Sequence, residues 1–191
     1  MADEYQMNLR HRSWVPKARL DIAGIRAGCA ASRVHFLLQF KQIPDSAQRD
    51  AISAAGVLFH GYVHGNAYIV SMAAADLEAL ALLDNVRAAF PLEPELKIDE
   101  KVRSSGVPPQ ARRPDGRMVL NVQFHDDVEA GQARAHAERL GGEVLGQSSL
   151  IHLVTAAFPP DAVDRIAAED SVQYVDFVEP PLTAKPPATK G

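Results

Sequence analysis

Cysteine is almost absent: Cys29 stands alone among 191 residues. No intramolecular disulfide and no multi-cysteine metal site can be built from it. Aromatic residues make up 6%, which leaves few stacking platforms for single-stranded nucleic acid. Positive charge is not in excess, with 20 Lys or Arg against 24 Asp or Glu and a formal net charge of -4. The electrostatic footprint of a nucleic-acid binder is therefore missing. Long apolar runs are missing too. Stretches such as residues 34–38 or 79–83 fall far short of the roughly 20 residues needed to cross a bilayer, so no membrane partner is expected. Residues 1–7 are polar and lack the apolar core of a signal peptide. Ala27-Gly28-Cys29 looks faintly like a lipoprotein cleavage site, but Arg19 and Arg26 stand where its apolar run would have to be. The compartment stays open: extracellular for a piece of an exported precursor, cytoplasmic otherwise. Against these absences stands an ordinary globular mix, 47% hydrophobic and 23% charged. Its length suits one or two domains.

The chain repeats itself. The run Val34 to Phe40 returns as Met118 to Phe124, 84 residues later. Gly56-Val57-Leu58 has a counterpart in Gly142-Glu143-Val144-Leu145. The apolar stretch at 67–70 matches 151–154. Each unit closes alike, with Leu92-Glu93-Pro94 in one and Val178-Glu179-Pro180 in the other, at an offset of 86. Between the units, residues 97–116 carry Ser104-Ser105-Gly106, Pro108-Pro109 and Pro114-Asp115-Gly116, a composition of turns and linkers. Residues 8–33 hold six Lys or Arg against the single acid Asp21. After Glu179, four prolines in twelve residues favour an extended, polyproline-like course. The expected organisation is a basic arm at 1–32, a first module at 33–96, a linker at 97–116, a second module at 117–180 and an extended tail at 181–191.

Within each module the order is strand, helix, strand, strand, helix, strand. Residues 34–40 and 119–124 are β-rich apolar runs. Asp45-Ser46 offers an N-cap to a helix that Gly56 stops. Ala130, Ala133, Ala137 and Leu140 share one helical face, closed by Gly141-Gly142. Gly65-Asn66 supplies the two residues tolerant of positive φ that a tight hairpin needs. A second helix carries Leu77, Leu80 and Ala81, matched by Val163, Ile166 and Ala167. Strands at 86–89 and 172–178 close the units. This predicts an α+β fold of two tandem ferredoxin-like βαββαβ sandwiches, each with two helices on one face of an antiparallel sheet.

The search for chemistry yields little. His60 and His64 have i,i+4 spacing, but Gly61 and Val63 place them in a strand and turn, without an acidic ligand in the run. His125-Asp126-Asp127 follows a strand and has the donors for a divalent cation; a solvated loop with Asp127 capping the next helix outweighs that reading. Glu169-Asp170 reads as a solvated helix end. Ser148 lacks the glycines of a nucleophile elbow, no loop cradles phosphate, and Cys29 has no patterned histidine partner. No metal, no cofactor and no enzymatic activity are expected. One asymmetry remains, since residues 117–179 hold 11 Asp or Glu against 4 Lys or Arg. A surface of that sign suits a soluble face or a partner's basic patch and helix N-termini.

Val172-Gln173-Tyr174-Val175-Asp176-Phe177-Val178-Glu179-Pro180 resembles the closing strand of the prodomain of subtilisin-like serine proteases. Val86 through Pro94 is similar, with Ala89 in place of a larger apolar residue. The tandem over about residues 33–182 looks like the doubled N-terminal region of some large bacterial subtilases. The resemblance implies a propeptide-like inhibitor or intramolecular chaperone of a subtilisin-like serine protease, in cis if a catalytic domain follows and in trans if not. It implies a sheet docked on two surface helices of the enzyme, with Glu179 capping a helix N-terminus. Pro180, Pro181, Leu182, Thr183, Ala184 and Lys185 would run extended through the substrate cleft, where a backbone can add as a β-strand. The alternative is a non-catalytic tandem ferredoxin-like protein-interaction or ligand-sensing module, with an effector pocket between the units and no need for the tail.

Overall fold

The computed structural model describes residues 4–27 and 32–180. Cys29 and the proposed cleft residues from Pro181 to Lys185 lie outside the described residues. The chain is an α+β protein built on two four-stranded antiparallel sheets. The first contains β3 (Arg33–Phe40), β4 (Leu58–Val63), β5 (Ala67–Ala73) and β6 (Val86–Pro91), in the spatial order β4-β5-β3-β6. The second contains β7 (Met118–Phe124), β8 (Glu143–Ser148), β9 (Leu153–Phe158) and β10 (Val172–Phe177), in the order β10-β7-β9-β8. Taken from either end, the two orders are the same, so the repeat in the sequence is a repeat in space.

Helices cover one face of each sheet. In the first module α2 (Ser46–Ala54) starts at Asp45, whose side chain accepts from the Gln48 amide while Gln48 reaches back, a complete capping box. The second apolar stretch is a 3₁₀ helix, Ala74–Leu82, rather than an α-helix. Leu77 and Leu80, three apart, both remain fully buried, because a turn of three residues brings that spacing to one side. Val34, Phe36, Leu38 and Phe40 pack against Ile52, Leu77 and Leu80. In the second module α4 (Ala130–Arg139) and α5 (Val163–Ala168) cover Leu120, Val122, Phe124 and Val154.

The segments expected as arm and linker are built into the fold. Strands β1 (Met7–Leu9) and β2 (Arg12–Trp14) form a hairpin. Met7 and Leu9 pack on Leu37, Val63 and Ile69, on the face of the first sheet turned away from its helices. Apolar residues at alternate positions are enough to bury so short a hairpin once the sheet offers a matching surface. Leu20 then makes a parallel bridge to Ala89 and leads into α1 (Ile22–Ala27). The linker repeats this: Ile98 makes a parallel bridge to Val175 and leads, through the cap Asp99, into α3 (Glu100–Ser104).

The modules meet along residues 94–99 and around the loop after β7. Lys97, although buried, donates to the Glu169 carbonyl at 2.8 Å. The Asp99 amide donates to the Val175 carbonyl at 2.9 Å, and the Tyr174 hydroxyl donates to the Asp99 carboxylate. The guanidinium of Arg10, from the N-terminal hairpin, lies 3.7 Å over the Tyr174 ring.

Candidate functional site

Two regions carry functional promise: the free face of the second sheet with its C-terminal exit, and a histidine–aspartate cluster where the modules touch. On β7, Met118, Leu120, Val122 and Phe124 are buried, while Val119, Asn121 and Gln123 between them are partly open. Thr155 on β9 and Asp176 on β10 stand opposite Asn121 and complete that face. Thr155 Oγ1 donates to Asn121 Oδ1 at 2.8 Å. Glu179 and Pro180 follow directly and are exposed. The corresponding face of the first sheet is covered by Met7, Leu9, Leu92 and Leu96.

The cluster begins with the alternation of β3. Val34 and Phe36 turn to the helices, so His35 projects from the other face, level with Ser71 on β5. A bulge in β4 between Phe59 and Gly61 sets His60 beside them. Against this corner the second module places the loop after β7, with His125, Asp126 and Asp127, and the turn before β10, with Asp170. His35 Nδ1 lies 2.6 Å from Asp170 Oδ2, and its Nε2 lies 2.8 Å from Asp127 Oδ1. The His35 amide donates to the other oxygen of Asp170 at 3.0 Å. His60 Nδ1 is hydrogen-bonded to Asp126, and its Nε2 lies 2.8 Å from Ser71 Oγ and 3.6 Å from Asp127 Oδ2. Ser71 Oγ donates to Asp127 at 2.8 Å and lies 3.1 Å from a guanidinium nitrogen of Arg33. His125 stacks on His35, rings nearly parallel and centroids 4.0 Å apart. It is fully buried, and among the described residues neither of its ring nitrogens has a hydrogen-bond partner.

Charge follows from these contacts. Burial works against a protonated His35, yet its hydrogen bonds to Asp127 and Asp170 outweigh that and raise its pKa above the ordinary histidine value. Asp127 loses hydration as well, but the His35 and Ser71 hydrogen bonds hold its carboxyl well below the usual carboxylate range. For His125, burial comes first and the neighbouring His35 adds to it; both push the pKa well down, so this imidazole is neutral.

The sequence reading of Asp127 as a helix cap is corrected here. The N-cap of α4 is Glu129, and no side chain caps that helix. Asp127 faces the first module instead, and Asp170 is drawn into the same junction. The residues singled out separately, His60 and His125-Asp126-Asp127, are brought together; His64 is not, since it pairs with Asn8 and the Gln6 carbonyl. His35, an internal strand residue, had no local signal, and Asp170, read as part of a solvated helix end, is instead bound to His35 across the junction.

A domain-family model matches residues 8–93. Its description is a domain of unknown function, DUF8729. The matched stretch runs from β1 to just past β6, so it takes in the hairpin, α1 and the first sheet as one unit. No curated protein and no solved structure matches the chain.

Proposed function

We propose that this chain is a propeptide-like inhibitor and folding assistant of a subtilisin-like serine protease, acting by occlusion rather than catalysis. In this reading each module is a ferredoxin-like sandwich, and the strand orders β4-β5-β3-β6 and β10-β7-β9-β8 support that topology. The observation that carries the proposal is the contrast between the two sheets. The first is covered on both faces, whereas the second keeps an open face beside the strand that exits into Glu179-Pro180. The second module would therefore dock on the enzyme, Glu179 would cap a helix of the partner, and residues 180–185 would enter the cleft. A segment held by a folded module loses less entropy on binding than a free peptide does.

The test is a titration of the purified chain against a panel of subtilisin-like proteases, following hydrolysis of a chromogenic peptide. Submicromolar inhibition that is lost on deleting residues 180–191 is the expected result. Equal inhibition by the truncated chain would sink the cleft model, and no inhibition by a folded chain would sink the proposal for that panel. A second reading, a tandem ligand-sensing module, is favoured by one observation. A cleft of about 520 Å3 opens between α2 and the loop after β7, with His60, Asp126 and Asp127 on its wall.

A further inference from the structure

We propose that His35, His60 and Asp127 bind a divalent transition-metal ion of the zinc type that ties the two modules together. This inference stands apart from protease inhibition and does not depend on it. The ligand atoms of the three residues all lie within 4.8 Å of one another. A tetrahedral zinc ion with bonds of about 2.1 Å places its ligands about 3.4 Å apart, so closure requires shifts on the order of 1 Å. Two imidazoles and one carboxylate suit zinc, cobalt or nickel, and disfavour magnesium and calcium, which prefer all-oxygen shells.

The outer contacts point the same way. A metal-bound histidine nearly always gives its second ring N–H to a carboxylate or carbonyl, which fixes the ring and raises its basicity. Both histidines have that partner, Asp170 on Nδ1 of His35 and Asp126 on Nδ1 of His60. Both Nε2 atoms are thereby turned to the same carboxylate, Asp127. Three carboxylates, Asp126, Asp127 and Asp170, contact the two histidines directly, while Arg33 reaches the cluster through Ser71. His125 is the independent observation: a fully buried histidine stacked on His35, whose two ring nitrogens have no hydrogen-bond partner among the described residues. The fourth position is open to it, on a turn of its ring, or to water. The cleft lined by His60, Asp126 and Asp127 supplies the entry path. On binding, the ion takes the place of the proton between His35 Nε2 and Asp127 Oδ1, which leaves to solvent, and His60 Nε2 exchanges its 2.8 Å contact with Ser71 Oγ for the ion. Because two ligands come from the first module and one from the second, the bound ion closes the junction.

The experiment uses the full chain, freed of metal by chelation and dialysis. Titration with ZnCl2 in a calorimeter is expected to show one ion per chain with a Kd of about 10 μM or tighter. CoCl2 is expected to give the intense visible bands of a four-coordinate site. At zinc about 100-fold above Kd, the Tm is expected to rise by roughly 5–10 °C. His60→Gln removes a ligand and should weaken binding by at least about 100-fold. Asp126→Asn, at an exposed position outside the ligand set, should weaken it by about 10–100-fold. His64→Gln, outside the cluster, should bind as the parent does. Circular dichroism checks the fold of each variant; if His60→Gln does not fold, Asp126→Asn and the cobalt spectrum decide. No zinc binding at about 100 μM, a weak six-coordinate cobalt spectrum, or an affinity unmoved by folded His60→Gln and Asp126→Asn would overturn the site and leave an ion-pair network alone.

Discussion

His35 lies between two carboxylates, with Asp170 at 2.6 Å and Asp127 at 2.8 Å. A buried imidazole bracketed by two carboxylates depends on both partners, because removing any one of the three leaves a buried polar or charged group without its hydrogen bond. Such a triad draws its partners from 92 and 135 residues away along the chain. Its residue-scale effect is to fix one register between modules. Leu140 shows the opposite, non-directional contribution. It closes α4 at 7% exposure inside the second core, where it meets no polar partner. Leu140→Ala is expected to cost about 2–5 kcal/mol of unfolding free energy, read from the urea midpoint at unchanged slope. A loss below about 1 kcal/mol would mean that the site collapses to fill the space.

At the scale of elements, the recurring unit is longer than its strands and helices. Leu20 and Ile98 each add a parallel bridge to the outer edge of a closing strand, and each is followed by an aspartate and a short helix. The Asp21 amide donates to the Ala89 carbonyl as the Asp99 amide donates to that of Val175. These lead-ins shield edges that would otherwise present unpaired backbone groups. The first unit has an addition, the β1–β2 hairpin, and Gly65 makes room for it. Gly65 has φ +91, and a Cβ there would sit 2.5 Å from the Gln6 carbonyl oxygen. Gly65→Ala is therefore expected to destabilise the chain by about 2 kcal/mol or more, from left-handed strain plus the clash. Amide hydrogen exchange should show the loss concentrated at residues 7–14; a uniform loss would mean that the hairpin does not depend on that turn.

At the scale of the whole molecule, each module spans about 65–70 residues, near the lower limit for a core that stands alone. Shared structure offsets that weakness. Leu96 is buried against the outer face of the first sheet, the adjoining Lys97 donates across to the second module, and Arg10 reaches from the first hairpin to Tyr174. The expected outcome is one cooperative transition in differential scanning calorimetry. Two separated peaks would show that the junction contributes little.

Much of this was legible along the chain. The apolar alternation of β7, the Asp45 cap, the Gly65-Asn66 turn and the duplication with its offset of 84 to 86 are local signals. Local signals are set by backbone sterics and periodicity, which a sequence carries openly. The lead-ins were not legible, because Ile98 and Leu20 act through a strand edge that exists only after folding. Nor was the cluster. His60 read as part of a strand and turn, His125-Asp126-Asp127 as a solvated loop and Asp170 as a solvated helix end, while His35 carried no signal of its own. Charge, hydrogen bonding and ligand geometry depend on distances through space. For this protein those distances were decided only when the two modules packed together.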